Sequence, residues 1–189
     1  TASSTPQTSV SEKATDLKLA MRKLWADHVW WTRDYIVAFA AGNTAEATAA
    51  ANRLMKNQED IGAAVGQYYG SDADNQLTTL LKAHISGAVD LLKAAKAKDN
   101  AAFSDANIKW QLNSDQIADF LAQANPNWSA TDLKSMMQKH LSTTLDEASA
   151  ELTGDYAGSV AAFDIVFNHI NMMSDALSQG IIEQFPEKF

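Results

Sequence analysis

LLKAHISGAVDLL, residues 80–92, decides the fold class. Around it Leu77, Leu81, His84, Ala88, Leu91 and Ala95 recur at steps of three and four, the spacing that puts side chains on one face of an α-helix. A histidine therefore stands in an apolar seam, with an aspartate six residues further on. Three other segments share the pattern: DHVWWTRD at 27–34, KHLSTTLD at 139–146 and NHINMMSD at 168–175. The chain's four histidines are His28, His84, His140 and His169, one in each segment.

Working outward, the rest of the chain also reads as helix. Among 189 residues there are 8 glycines and 3 prolines, and Ala, Leu, Lys, Gln and Met are abundant. The expected architecture is all-α, an antiparallel four-helix bundle with additional short crossover helices. The long helices are expected at 11–41, 71–98, 129–153 and 156–184. Gly42-Asn43, Gly70, Asn125-Pro126 and Gly154-Asp155 serve as stop and start signals. Short helices over 44–56 and 59–69 and a medium one over 114–124 fill the connections, with a polar loop at 99–107. Residues 1–10 are expected to be disordered and 11–189 to form a single domain.

Composition excludes several functions. A net charge of -8 and a pI near 4.8 oppose binding to a nucleic-acid backbone. With no cysteine there can be no disulfide, thiolate zinc site, iron–sulfur cluster or cysteine nucleophile. No run of apolar residues is long enough for a transmembrane segment. No Gly-x-Ser-x-Gly turn or phosphate-binding glycine loop occurs, and the Glu-x-x-His motif of diiron bundles is missing. The first residues, TASSTPQTSVSE, are small and polar and read like the mature end of an exported chain.

Each histidine falls near the middle of its long helix, so all four are expected at one depth and facing the bundle axis. His28, His84 and His140 are also spaced 56 residues apart. The same offset pairs Asn57 with Asn113, Ile61 with Ile117, Leu77 with Leu133 and Asp90 with Asp146, which suggests an internal duplication. Four buried imidazoles would repel if charged and would cost about 1–3 kcal/mol each if left unbonded. A transition metal (copper, iron or zinc) held by His28, His84, His140 and His169 meets both problems. Met137 and Met173 could add soft thioethers to such a site, or simply fill the core.

Two other readings stay open. One is a structural or interaction bundle with a hydrogen-bonded histidine core and no metal. The other is a metal-dependent oxidoreductase or haem-binding protein whose mouth is lined by Trp31, Tyr35, Tyr68 or Tyr69, with substrate undefined. Asp34, Asp90, Asp146 and Asp175 read as solvated flanks or as acceptors for a ring N–H on a neighbouring helix, as do Asp27 and Asp164. Arg33 is a candidate buried counter-charge, and Glu147 breaks the third seam. A homo-oligomer is compatible with the pattern.

DHVWWTRDYIVAF, QYYG, LTTLLKAHISGAVDLL, DQIADFLAQANPNW, MMQKHLSTTLDE and FNHINMMSDALSQGIIEQFPEKF together resemble a family of small all-helical bacterial proteins. Some of its members carry labels such as glycosyltransferase or acetylglutamate kinase. The resemblance runs from about Leu24 to the C-terminus and implies a shared helical fold and shared histidines. Neither enzyme label fits a chain without an α/β glycine-rich organisation or a nucleotide loop.

Overall fold

The computed structural model describes residues 11–189; the expectation of disorder for 1–10 lies outside them. Six long helices make up the described residues: α1 Glu12–Ala41, α2 Thr44–Tyr69, α3 Ser71–Ala97, α4 Asn100–Ala124, α5 Ala130–Thr153 and α6 Tyr156–Gln184. A short 3-10 turn, Pro186–Lys188, follows.

The all-α class holds, and the four expected long helices begin and end within one residue of their forecast bounds. The short crossovers do not hold. α2 and α4 are unbroken helices of 26 and 25 residues, so the fold is a six-helix bundle instead of four helices with short connections. Asn57 and Gln58 do not stop α2, because their amides are occupied elsewhere: Asn57 Nδ2 donates to the Leu24 carbonyl of α1 at 3.0 Å, and Gln58 Nε2 to Leu54 O at 2.8 Å. The polar run at 99–107 is the first turns of α4, opened by the Asp99 side chain accepting from Ala102 N.

Short turns make successive helices antiparallel, each packing on its neighbours in the chain. α1 also packs along α6, which closes the six into a ring. The closing contacts include the Arg22 pair with Asp175 and Trp30 lying 4.7 Å from the Phe163 ring.

The 56-residue offset extends over three helical hairpins: α1–α2, α3–α4 and α5–α6. Thr44, Asn100 and Tyr156 start the second helices, each capped by the residue before it, Asn43, Asp99 or Asp155. Gly42, Lys98 and Gly154 end the first helices in the left-handed conformation. After each of them the next backbone N–H returns to the carbonyl of Ala38, Ala94 or Ala150. Lys98, with φ 56°, is the one non-glycine residue with positive φ among those described, and the repeat explains why the turn must go there. Core positions follow the same rule. Met21, Leu77 and Leu133 are buried in matching places, as are Val29, Ile85 and Leu141, and Ile61, Ile117 and Met173. Each such side chain contributes about 1.5–3 kcal/mol by leaving water, and no single hairpin could bury its inner face alone.

Candidate functional site

The repeat brings His28, His84 and His140 together from α1, α3 and α5. Their ring centroids are 5.6 Å (His28 to His140), 6.0 Å (His84 to His140) and 6.5 Å (His28 to His84) apart. All three rings are buried. Trp25 meets His28 edge-on at 5.8 Å, and Trp110 stacks on His84 at 5.2 Å while donating its N–H to the His84 carbonyl.

Each hairpin braces its histidine's helix from the neighbouring one. Asn57 Nδ2 donates to Leu24 O, Asn113 Nδ2 to Leu80 O at 3.1 Å, and His169 Nε2 to Met136 O at 2.9 Å. These donors are spaced by the same 56 residues, and so are the acceptors. His169 is thus the third hairpin's counterpart of Asn57 and Asn113, half-buried on α6, and not a fourth member of the central group.

The amide of Asn113 also fixes a proton. Its nitrogen is the donor to Leu80 O, so its oxygen, 3.1 Å from His84 Nδ1, must accept, which puts the His84 proton on Nδ1. His28 Nδ1 lies 3.3 Å from Gln58 Nε2. His140 Nδ1 finds no partner among the described residues, nor does Gln58 Oε1.

Electrostatics keeps the trio neutral. Burial, together with the neighbouring His84, pushes the His28 imidazole down to about 3. Burial alone pushes His84 down to about 4, against the opposing pull of Asn113. His140 falls well below its ordinary value, first through burial and then through His28, His84 and His169. No carboxylate is among the groups acting on these rings, so nothing compensates a proton placed there.

The expected metal centre on His28, His84, His140 and His169 is overturned. Among the described residues no three His, Cys, Asp or Glu side chains are placed to hold a metal ion. His169 Nε2 is spent on a carbonyl, and one nitrogen each of His28 and His84 faces an amide. The three central rings lie alongside one another at interplanar angles of 28–47° and do not form a ligand set among the described residues. Copper, iron and zinc as cofactors or partners fall with that site, as does a metal-dependent oxidoreductase. The haem reading meets a filled interior, with Trp25 and Trp110 packed against the imidazoles.

Met137 and Met173 are ordinary core, standing where the other hairpins carry Trp25 and Leu81 or Ile61 and Ile117. The six-residue aspartates flank the site at the surface: Asp90 faces Lys93 at 3.8 Å and Asp175 pairs with Arg22. Tyr68 and Tyr69 pack on Phe185 at the end of the ring, at 5.9 and 5.4 Å between ring centroids.

A second buried polar group lies between α1, α5 and α6. Arg33 Nη1 is 2.8 Å from Glu147 Oε1 and 3.2 Å from Ser159 Oγ. The reading of Arg33 as a buried counter-charge is right, with Glu147 as its partner. Glu147 is fully buried and Oε2 has no partner among the described residues. Burial pushes this carboxyl up to about 7 although Arg33 pulls it down.

No helix among the described residues is long and apolar enough to cross a membrane. No family model matches the chain, and no curated protein or solved structure matches it either.

Proposed function

We propose that the chain is a structural and interaction module: a closed ring of three helical hairpins held together at neutral pH by uncharged imidazoles and loosened by acid. The observation that carries this is the central trio, three buried rings within 6.5 Å of one another with no acidic neighbour. A proton on one ring would carry its charge out of water with no carboxylate to offset it, and two would repel at short range with little water to screen them. A cavity shaped for a substrate is not part of the site; the centre is filled by side chains that brace one another.

Nuclear magnetic resonance of the imidazole C–H protons tests the reading. Between pH 8 and 5, while the native spectrum persists, the imidazoles of His28, His84 and His140 should show no titration, and the native signals should be lost together on further acidification. Titration of His28, His84 or His140 near 6.5 with the fold intact would refute it.

A further inference from the structure

The three hairpins act as internal controls for one another's surfaces. Trp30 is 53 % exposed on α1, and its counterparts are the exposed Ser86 and Ser142. Val37 corresponds to Lys93 and Ser149, Val160 to Thr48 and Ser104, and Tyr156 to Thr44 and Asn100. These positions face solvent in every copy, yet only along the α1–α6 seam are they apolar. Closing the seam uses the Trp30 contact with Phe163, but more than half of Trp30 stays exposed and Val37, Val160 and Tyr156 face solvent, so seam packing leaves most of this apolar surface unused.

The patch is continuous. Trp30 lies across Phe163 at 4.7 Å and Phe167 at 6.1 Å, where the other hairpins carry Asn107 or Ala51 and Gln111 or Met55. Val160 is one turn before Phe163, and Val37 is two turns beyond Trp30, so the apolar strip follows the groove between the helices.

The charges beside it are one-sided. The α1 cations within reach of Trp30 are engaged, Lys23 by Asp27 and Arg33 by Glu147, as is Arg22 by Asp175 two turns before it, while Lys13 and Lys18 lie three turns or more before Trp30. Asp34, one turn after Trp30, and Asp164, one turn after Val160, are in no ion pair among the described residues, and the chain as a whole carries -8. A second copy on this groove would bring acid against acid.

We propose that the α1–α6 groove centred on Trp30 is a docking surface for a basic amphipathic helix of a partner protein, its apolar side chains on Trp30, Val37 and Val160 and its lysines or arginines beside Asp34 and Asp164. This rests on reading the chain as an interaction module and gives that module its partner chemistry. It does not depend on acid sensitivity: the test runs at pH 7.5, and a failure of the acid response would leave it standing.

The probe is a fluorescent amphipathic Leu/Lys helix of about five turns, with a Leu/Glu twin of the same apolar face. Fluorescence anisotropy should show micromolar binding of the Leu/Lys peptide and affinity lower by about tenfold or more for the twin, one decade being about 1.4 kcal/mol. Trp30→Ser with Val160→Thr, which install residues already tolerated at equivalent positions, should weaken binding by about tenfold. Asp34→Asn with Asp164→Asn, which leave the packing untouched, should weaken it and flatten its salt dependence. Ile108→Asn with Leu112→Lys, on the exposed apolar face of α4, should leave it unchanged. Equal binding of the two peptides, indifference to the groove variants, or equal weakening by the α4 variants overturns the proposal. So does a dimer in sedimentation that Trp30→Ser with Val160→Thr dissolves, since the face would then belong to a second copy.

Discussion

A buried imidazole without an acidic neighbour makes folding compete with protonation. For His28 and His84, at about 3 and 4, and for His140, the folded value lies below the ordinary 6.5, so the unfolded chain takes up protons first as pH falls. Their stabilisation is complete above 6.5 and declines through the window below it, by about 1.4 kcal/mol per pH unit for each ring. His84→Asn should therefore lower stability at pH 7.5 and remove one proton's worth of slope between pH 6.5 and 5, measured by urea unfolding at several pH values. Glu147 has the opposite sign. Raised from 4.5 to about 7, it stabilises below 4.5 and loses that contribution as pH rises through 7. Glu147→Gln should abolish that decline, so the stability difference between variant and parent should shift by one proton's slope, about 1.4 kcal/mol per pH unit, between pH 5 and 7. Spacing in the sequence located the three central histidines correctly. It misplaced His169 because mid-helix depth outweighed the offset: counting 56 from Asn57 and Asn113 leads to His169, and that count marks it as a bracing residue.

Helix ends were legible because Gly42, Gly70, Gly154 and Asn125-Pro126 are strong local signals, whereas the continuity of α2 and α4 was not. Asn57 and Gln58 look like a break, and only the neighbouring α1 carbonyl and the packing around them keep these residues inside a helix. The turn after α3 gives a clean test. Lys98 holds a left-handed conformation that Gly42 and Gly154 adopt without a Cβ penalty. Lys98→Gly should raise stability by about 1 kcal/mol, seen as a higher thermal midpoint with unchanged helicity. On α6 the reverse applies: a Cβ at Gly180 would run into the Trp128 indole. Gly180→Ala should cost about 1–3 kcal/mol by forcing Trp128 out of the core, with a change in tryptophan fluorescence.

Over the whole molecule, the ring has one seam that no turn ties together, between α1 and α6. Its ion pair of Arg22 with Asp175 is about half exposed and adds little, about 1 kcal/mol at most, so closure depends on Trp30, Phe163 and the buried Arg33–Glu147 contact. All-helical class and the repeat offset were visible in the sequence; six full helices and a closed ring were not, because closure is a contact between residues about 150 apart. With no donor set for an ion among the described residues, prolonged dialysis against a strong chelator should leave the thermal midpoint unchanged. The most direct test is the net proton uptake on unfolding between pH 6.5 and 5, from urea titrations of the intact chain. Three imidazoles gaining protons and one carboxyl losing one give a net uptake of about two, a fall of about 2.7 kcal/mol per pH unit as acid is added. Stability that is flat or rising over that interval would contradict a neutral histidine core.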